Sequence, residues 1–213
     1  MAKPLGLLVA SFNFAGAAED EFQDWYDHEH VPERARVPGF LTLQRWIGAE
    51  DPKISVATYD LQTADVLQSP QYRAIAGENL SPWSVRVIGK CRRLLRFEGE
   101  QILSGSRVSP QNAGGLLMFA MNVEPDAESD FNDWYDNEHV PNLAAVPGVL
   151  CARRFRATQS THKYLALYHL ESPEVTTSAG WKKAALTPWT ERVRPHTRDR
   201  LRIVCRSYRR ASI

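Results

Sequence analysis

The chain writes one unusual segment twice: residues 24–32 read DWYDHEHVP and residues 133–141 read DWYDNEHVP. Between residues 22–39 and 131–148, 13 of 18 positions are identical, a density that only duplication explains. The register holds outside the motif. GLLVASFN at Gly6 aligns with GLLMFAMN at Gly115, Tyr59 matches Tyr168, and after a three-residue deletion SPW at Ser81 matches TPW at Thr187. The opening residues MAKPLGLLVASF have the look of a short signal sequence, but their internal copy reads as a strand, so the first copy is expected to be a strand too. A period this long exceeds the 20 to 50 residues of solenoid repeats, so each copy should be a complete folding unit.

Both copies read alike. An apolar stretch is followed by an acidic segment, AAEDEF or DAESDF, which suits a helix N-terminus because carboxylates meet the positive end of the helix dipole there. The helix should stop near Val31 and Val140, since a residue before proline is pushed out of the α region. Two stretches rich in aromatic and β-branched residues then predict a hairpin. A second, weaker helix is expected around residues 72–78 (181–185), and a last strand near residues 90–97 (197–206). Trp83 and Trp189 are expected in matching loops. The order βαββαβ is the ferredoxin-like unit. The fold class is therefore α+β, with tandem ferredoxin-like units spanning residues 1–103 and 113–213, joined by a linker at 104–112. Each unit leaves one sheet face bare, and two units can bury those faces against each other in an eight-strand barrel.

With a helix carrying F-x-x-W-Y-x-x-E-H-V-P and then VPG in each half, the chain resembles the dimeric α/β-barrel superfamily, and within it the EthD-like proteins. The resemblance covers nearly the whole chain and implies that two subunits are fused into one. It also implies a ligand cleft between helix and sheet. Relatives include isomerases, cyclases, decarboxylases, monooxygenases and haem enzymes, so fold alone does not select a reaction.

On a regular helix Phe22, Trp25, Tyr26 and Glu29 fall at i, i+3, i+4 and i+7, which places a carboxylate on the aromatic stripe facing the sheet, with His30 on its flank. The second set is Phe131, Trp134, Tyr135, Glu138 and His139. Asp24, Asp27 and His28 (Asp133, Asp136, Asn137) point outward. A carboxylate against aromatic rings loses hydration and a nearby imidazole titrates close to neutrality, so Glu29–His30 and Glu138–His139 form candidate acid–base pairs. The competing structural reading is that these residues cap the interrupted helix. Trp25, Tyr26, Trp134 and Tyr135 would wall the substrate. Arg45 and Arg154, matched on the second strand, could clamp a carboxylate or enolate, and Tyr59 and Tyr168 could offer a phenol. For each of these four the competing reading is ordinary packing or solvation. Asp60 has become His169, which marks a difference between the halves.

The expected activity is that of a cofactor-independent lyase or isomerase, performing decarboxylation, dehydration or cyclisation on a small aromatic carbonyl or carboxylate compound. Two alternatives stand beside it: a non-catalytic binder of a hydrophobic small molecule, and a haem or oxygen-dependent monooxygenase with His30 or His139 as axial ligand. No metal is expected, because His28 and His30 diverge by about 200° on a helix and cannot share an ion. No glycine-rich phosphate loop is present, and no cofactor is expected. The net charge of +1 argues against nucleic acid, and the alternating arginines after Arg198 read as a solvated strand face. No apolar run approaches the roughly 18 residues of a membrane span. Cys91, Cys151 and Cys205 lack metal spacing and are odd in number, which fits a reducing cytoplasm. The partner is a small molecule, with a homodimer possible through the outer helices.

Overall fold

The computed structural model describes residues 3–103 and 107–210. The expected linker falls partly on residues 104–106, outside the described residues. The first unit contains β1 (Gly6–Asn13), α1 (Glu19–Trp25), α2 (Val31–Ala35), β2 (Phe40–Gly48), β3 (Ile54–Leu61), α3 (Pro70–Arg73), α4 (Pro82–Gly89) and β4 (Arg92–Leu103). The second repeats it as β5 (Gly115–Val123), α5 (Glu128–Trp134), α6 (Val140–Ala144), β6 (Val149–Gln159), β7 (Tyr164–Leu170), α7 (Ala179–Ala185), α8 (Pro188–Val193) and β8 (Thr197–Ser207).

The eight strands close into one antiparallel barrel in the order β1-β3-β2-β8-β5-β7-β6-β4. Two seams join the units: β4 pairs with β6 from Glu98↔Gln159 to Leu103↔Arg154, and β2 pairs with β8 over Trp46↔Ser207 to Gly48↔Cys205. Period-2 alternation sorts the side chains. Leu7, Val9, Phe97, Leu116, Met118 and Phe155 fill the barrel as one core drawn from both halves. Leu8 and Tyr59 point outward and pack on Phe22, Trp25 and Tyr26, while Leu117 and Tyr168 do the same against Phe131, Trp134 and Tyr135. Among the described residues, no helix is long and apolar enough to cross a membrane.

Two expectations about helices need correction. The first helix does not stop at Val31 or Val140. It passes through a π-helical turn, Tyr26–His30 or Tyr135–His139, into α2 or α6. The turn is closed by Val31 N–H on the Tyr26 carbonyl and by Val140 N–H on that of Tyr135. Proline lacks an N–H and crowds the preceding turn, and a turn widened by one residue makes room for it. The second correction is that Trp83 and Trp189 open short helices rather than lying in loops, because Ser81 and Thr187 cap α4 and α8 by accepting the Ser84 and Thr190 N–H groups, with proline in the first turn where its missing donor costs nothing.

The barrel interior also holds a polar cluster that breaks the symmetry of the repeat. Asp60 accepts Arg153 Nη1 at 2.7 Å, the Ser109 N–H at 2.6 Å and Thr42 Oγ1 at 2.9 Å. Asp60 and Arg153 are both essentially inaccessible, and their bond ties β3 of one unit to β6 of the other. The duplication turns this set into His169, Gln44 and Cys151 at the related positions.

Candidate functional site

Each unit forms a cleft of about 280 Å³ between its helices and the outer face of its sheet. His30 and Tyr59 line the first cleft, and His139 and Tyr168 line the second. The π turn decides which residue faces inward. Inserting one residue into a helical turn moves everything beyond it by one place, so His30, not Glu29, joins the aromatic stripe. Its ring centroid lies 4.4 Å from that of Trp25 and 5.2 Å from that of Tyr26. His139 repeats this at 4.2 Å from Trp134 and 5.2 Å from Tyr135. π turns recur at functional sites because they re-aim side chains in this way.

The carboxylates go elsewhere. Glu29 accepts Ser81 Oγ at 2.5 Å and Ser84 Oγ at 3.1 Å, and Glu138 accepts Thr187 Oγ1 at 2.5 Å. The indole N–H groups of Trp25 and Trp134 donate to Ser84 and Thr190, at 2.9 and 3.2 Å. The first helix of each unit is thereby fastened to the capped start of α4 or α8. No hydrogen bond joins Glu29 to His30 or Glu138 to His139 among the described residues.

Arg45 and Arg154 lie on the outer face of the sheet beneath the helix and line neither helix–sheet cleft. Arg45 sits over the Tyr26 ring at 4.3 Å and bonds Asp27 at 2.6 Å and Gln23. Arg154 sits over Tyr135 at 4.2 Å and bonds Asp136 and Asn132. Asp27 and Asp136, expected to be merely solvated, are the counter-ions of these arginines. Trp134 and Tyr135 line the second cleft, whereas Trp25 and Tyr26 stand behind His30 in the first.

Both imidazoles are only 8% exposed. Burial first, then Arg34, Arg45 and Arg96, holds His30 well below the ordinary histidine value. Burial, then Arg154, brings His139 down to about 3. Burial likewise pushes the Tyr59 and Tyr168 phenols well above the ordinary tyrosine value. Each cleft thus offers a neutral imidazole and an un-ionised phenol, and the buried Nδ1 atoms and the phenol oxygens have no partner in the protein. Buried polar atoms without partners are costly, and a ligand is one way to satisfy them.

Haem does not fit these residues. An axial histidine ordinarily donates its second ring N–H to a fixed acceptor that sets the tautomer and strengthens the ligand. In both clefts Nδ1 is buried with no acceptor, and the ring packs at a tilt against a tryptophan, 4.4 Å away for His30 and 4.2 Å for His139. Among the described residues, no group of three or more His, Cys, Asp or Glu side chains is placed to hold a metal ion.

Sequence reasoning missed the arginines of the clefts. Arg34 is buried in the first. Arg96 and Arg202 hold equivalent strand positions, opposite Ala10 and Phe119, and line the first and second clefts respectively. Arg194 and Arg200 join Arg202 in the second. The alternating arginines after Arg198 therefore include cleft residues and are not only a solvated face. The signal was their period of two in register with the outward-facing Leu117 and Phe119.

No protein-family model matches the chain, and no curated protein matches it by sequence. Solved structures match over nearly its full length. An anthrone oxidase-like protein aligns at 12% identity over 97% of this chain and 92% of its own, with a TM-score of 0.68. A protein provisionally named a monooxygenase, from Fusobacterium nucleatum subsp. nucleatum ATCC 25586, aligns at 10% identity over 98% and 94%, with a TM-score of 0.67. Chlorite dismutase from Candidatus Nitrospira defluvii, in complex with imidazole, aligns at 10% over 98% and 93%, with a TM-score of 0.57. The first two of these neighbours, and two further ones named as monooxygenase or monooxygenase-like, bear oxidative names. Together with carboxylates bonded to hydroxyls rather than to histidines, they overturn the expectation of a lyase or isomerase run by a Glu–His pair. At this identity the likeness shows the fold: two ferredoxin-like units closed into a dimeric-type α/β barrel within one chain.

Proposed function

We propose that the chain is an oxygen-dependent enzyme of monooxygenase type, in the EthD-like branch of its superfamily, acting on a small electron-rich aromatic compound in the second cleft. The observation that carries this reading is the meeting of a buried neutral imidazole, His139, and an unpartnered phenol, Tyr168, on one aromatic-walled cavity. The oxidative names of the structural neighbours support it.

The chemistry asked of these groups is modest. An aromatic compound whose CH2 carbon is conjugated through its rings to a hydroxyl or oxo group loses a proton to His139, while the Tyr168 O–H donates to the oxygen where charge collects. The imidazole is a poor base in the empty cleft because its cation is desolvated, but an anion formed beside it offsets that penalty. The resulting carbanion reduces dioxygen: one oxygen atom stays on carbon, the other leaves as water with the two hydrogens of the CH2 group, and all four electrons come from the substrate. Excluding water protects the reactive intermediates. In the first cleft, His30 carries the added penalty of Arg34, so its protonation is disfavoured twice over. The free thiols of Cys91, Cys151 and Cys205 fit the reducing cytoplasm we propose as its compartment.

Oxygen uptake with anthrone as probe tests the reading. The expected result is uptake above the spontaneous rate, one dioxygen per anthrone, with label from ¹⁸O₂ in the carbonyl product. Tight binding of hydroxyarenes without any acceleration of uptake would instead identify a binding protein.

A further inference from the structure

We infer that the second cleft takes an aromatic compound bearing a carboxylate, its flat body inside and its acid group at the mouth; this rests on the reading of that cleft as the substrate site. The argument is a comparison of equivalent positions. Where the first cleft has Arg34, Phe12 and Tyr72, the second has Leu143, Met121 and Trp181. The buried cation and a hydroxyl are gone from the interior, and what replaces them is apolar and polarisable, a wall suited to an uncharged ring system.

The mouth changes in the opposite sense. Arg194 stands where the first unit has Ile88, and Arg200 where it has Leu94. Arg202 keeps the place of Arg96 but loses its counter-ion: Arg96 bonds Glu98, and the residue equivalent to Glu98 is Val204. Arg194, Arg200 and Arg202 are exposed, line one cavity, and form no ion pair among the described residues. Among the described residues the first cleft has one such arginine, Arg93, which lies over the Phe12 ring with no carboxylate partner, while its Arg34 and Arg96 are paired with Glu33 and Glu98; the second cleft has three. Three uncompensated like charges around an apolar mouth repel one another, and a carboxylate relieves that repulsion while matching the guanidinium fork in a bidentate pair. The unpartnered Tyr168 O–H lies at the other end of the requirement, ready to donate to a carbonyl or hydroxyl on the buried ring.

Isothermal titration calorimetry on the full chain, with 2-naphthoate and its uncharged methyl ester as probes, tests this. Naphthoate is expected to bind at least about tenfold more tightly than the ester, and only its affinity should fall as salt is raised, because exposed charge attraction is screened. Arg200→Gln combined with Arg202→Gln should remove most of that preference and leave ester binding unchanged; both positions are exposed, so the fold is not at risk. Trp181→Ala should weaken both probes, whereas Tyr72→Ala in the first cleft should weaken neither. Equal affinity for acid and ester, no binding of either, or a naphthoate preference that survives the arginine double variant would each overturn the inference. The assay needs no turnover. Loss of the oxygen-uptake activity with the acid preference intact would sink only the oxidative reading, and normal uptake with no acid preference would sink only this one.

Discussion

The two clefts have the same volume, the same helix, the same π turn and the same histidine and tyrosine, yet they differ in where they put positive charge. The first buries Arg34 beside His30 and leaves a mouth whose Arg96 is neutralised by Glu98, with Arg93 as its single unpaired arginine among the described residues. The second has an apolar interior and a mouth of three unpaired arginines. Duplication copied the scaffold, and divergence then acted on side chains that leave the scaffold untouched. The lesson is that the shared residues are those the fold needs to present a cleft, while the residues that differ set what each cleft can hold.

The sharpest way to break this comparison is to remove each histidine in turn. His139→Ala should lower the rate of oxygen consumption by about 10²- to 10⁴-fold, the range for loss of a positioned proton acceptor. His30→Ala should change it less than threefold. Equal losses from both variants would mean that the charge beside His30 does not separate the clefts, and the assignment of chemistry to the second would fall. Circular dichroism of both variants checks that folding is preserved.

The same asymmetry runs through the barrel, where Asp60 and His169 occupy related positions. Burial raises the Asp60 carboxyl, but the Arg153 charge and the Ser109 N–H outweigh it and hold it below the ordinary aspartate value. Asp60→Asn leaves a fully buried guanidinium without its counter-ion, so a loss of about 3–5 kcal/mol is expected in urea unfolding. Converting both Asp60 and Arg153 to leucine should cost less than the single change, because no charge is then stranded. A double variant as unstable as the sum of its parts would show that the pair is not coupled.

His169 makes the converse case. It is fully buried, stands edge-on to Trp46 at 5.7 Å, has no hydrogen-bond partner on either nitrogen, and is brought down to about 3 by burial and then Arg153. Its folded value lies below its unfolded value, so between about pH 6.5 and 3 the unfolded chain binds a proton that the folded chain refuses. The stability is fully present above pH 6.5 and is lost as pH falls, at about 1.4 kcal/mol per pH unit. His169→Leu should therefore reduce the loss of stability between pH 7 and pH 5 by about 2 kcal/mol. An unchanged difference between those two pH values would mean that His169 is already protonated in the fold.

Much of this was legible from residues. The repeat gave the two units, and the bare sheet face that each unit leaves gave the barrel; the near-continuous apolar runs at residues 6–13 and 115–122 did not say which side chains face the barrel and which the helices. His30, His139, Tyr59 and Tyr168 were recognised as candidates because they recur in both copies. The π turn was not legible: a 3.6-residue period assigns Glu29 to the stripe, and only the space that Pro32 demands shifts His30 into that place. The roles of Arg45 and Arg154 were hidden for a related reason, since their partners Asp27 and Asp136 lie 18 residues away on a helix whose phase had been misjudged. Arg34 and Arg96 come from a helix and a strand far apart in sequence, and no local pattern announces that they meet in the first cavity, whereas Arg202 of the second is marked by its period of two along the last strand.

The smallest expected effect concerns what the halves still share. Ser81 and Thr187 each cap a short helix and each hold the glutamate of the π turn. If Glu29 and Glu138 are anchors, Ser81→Ala and Thr187→Ala should destabilise the chain by similar amounts, about 1 kcal/mol each for the lost cap, with a further contribution from the freed carboxylate. Neither should change the pH dependence of oxygen uptake, because the proton acceptor is the imidazole and not the carboxylate beside it. A shift in that pH profile for Thr187→Ala alone would return Glu138 to the chemistry of the second cleft. It would also make the anchor a second point at which the two halves have parted.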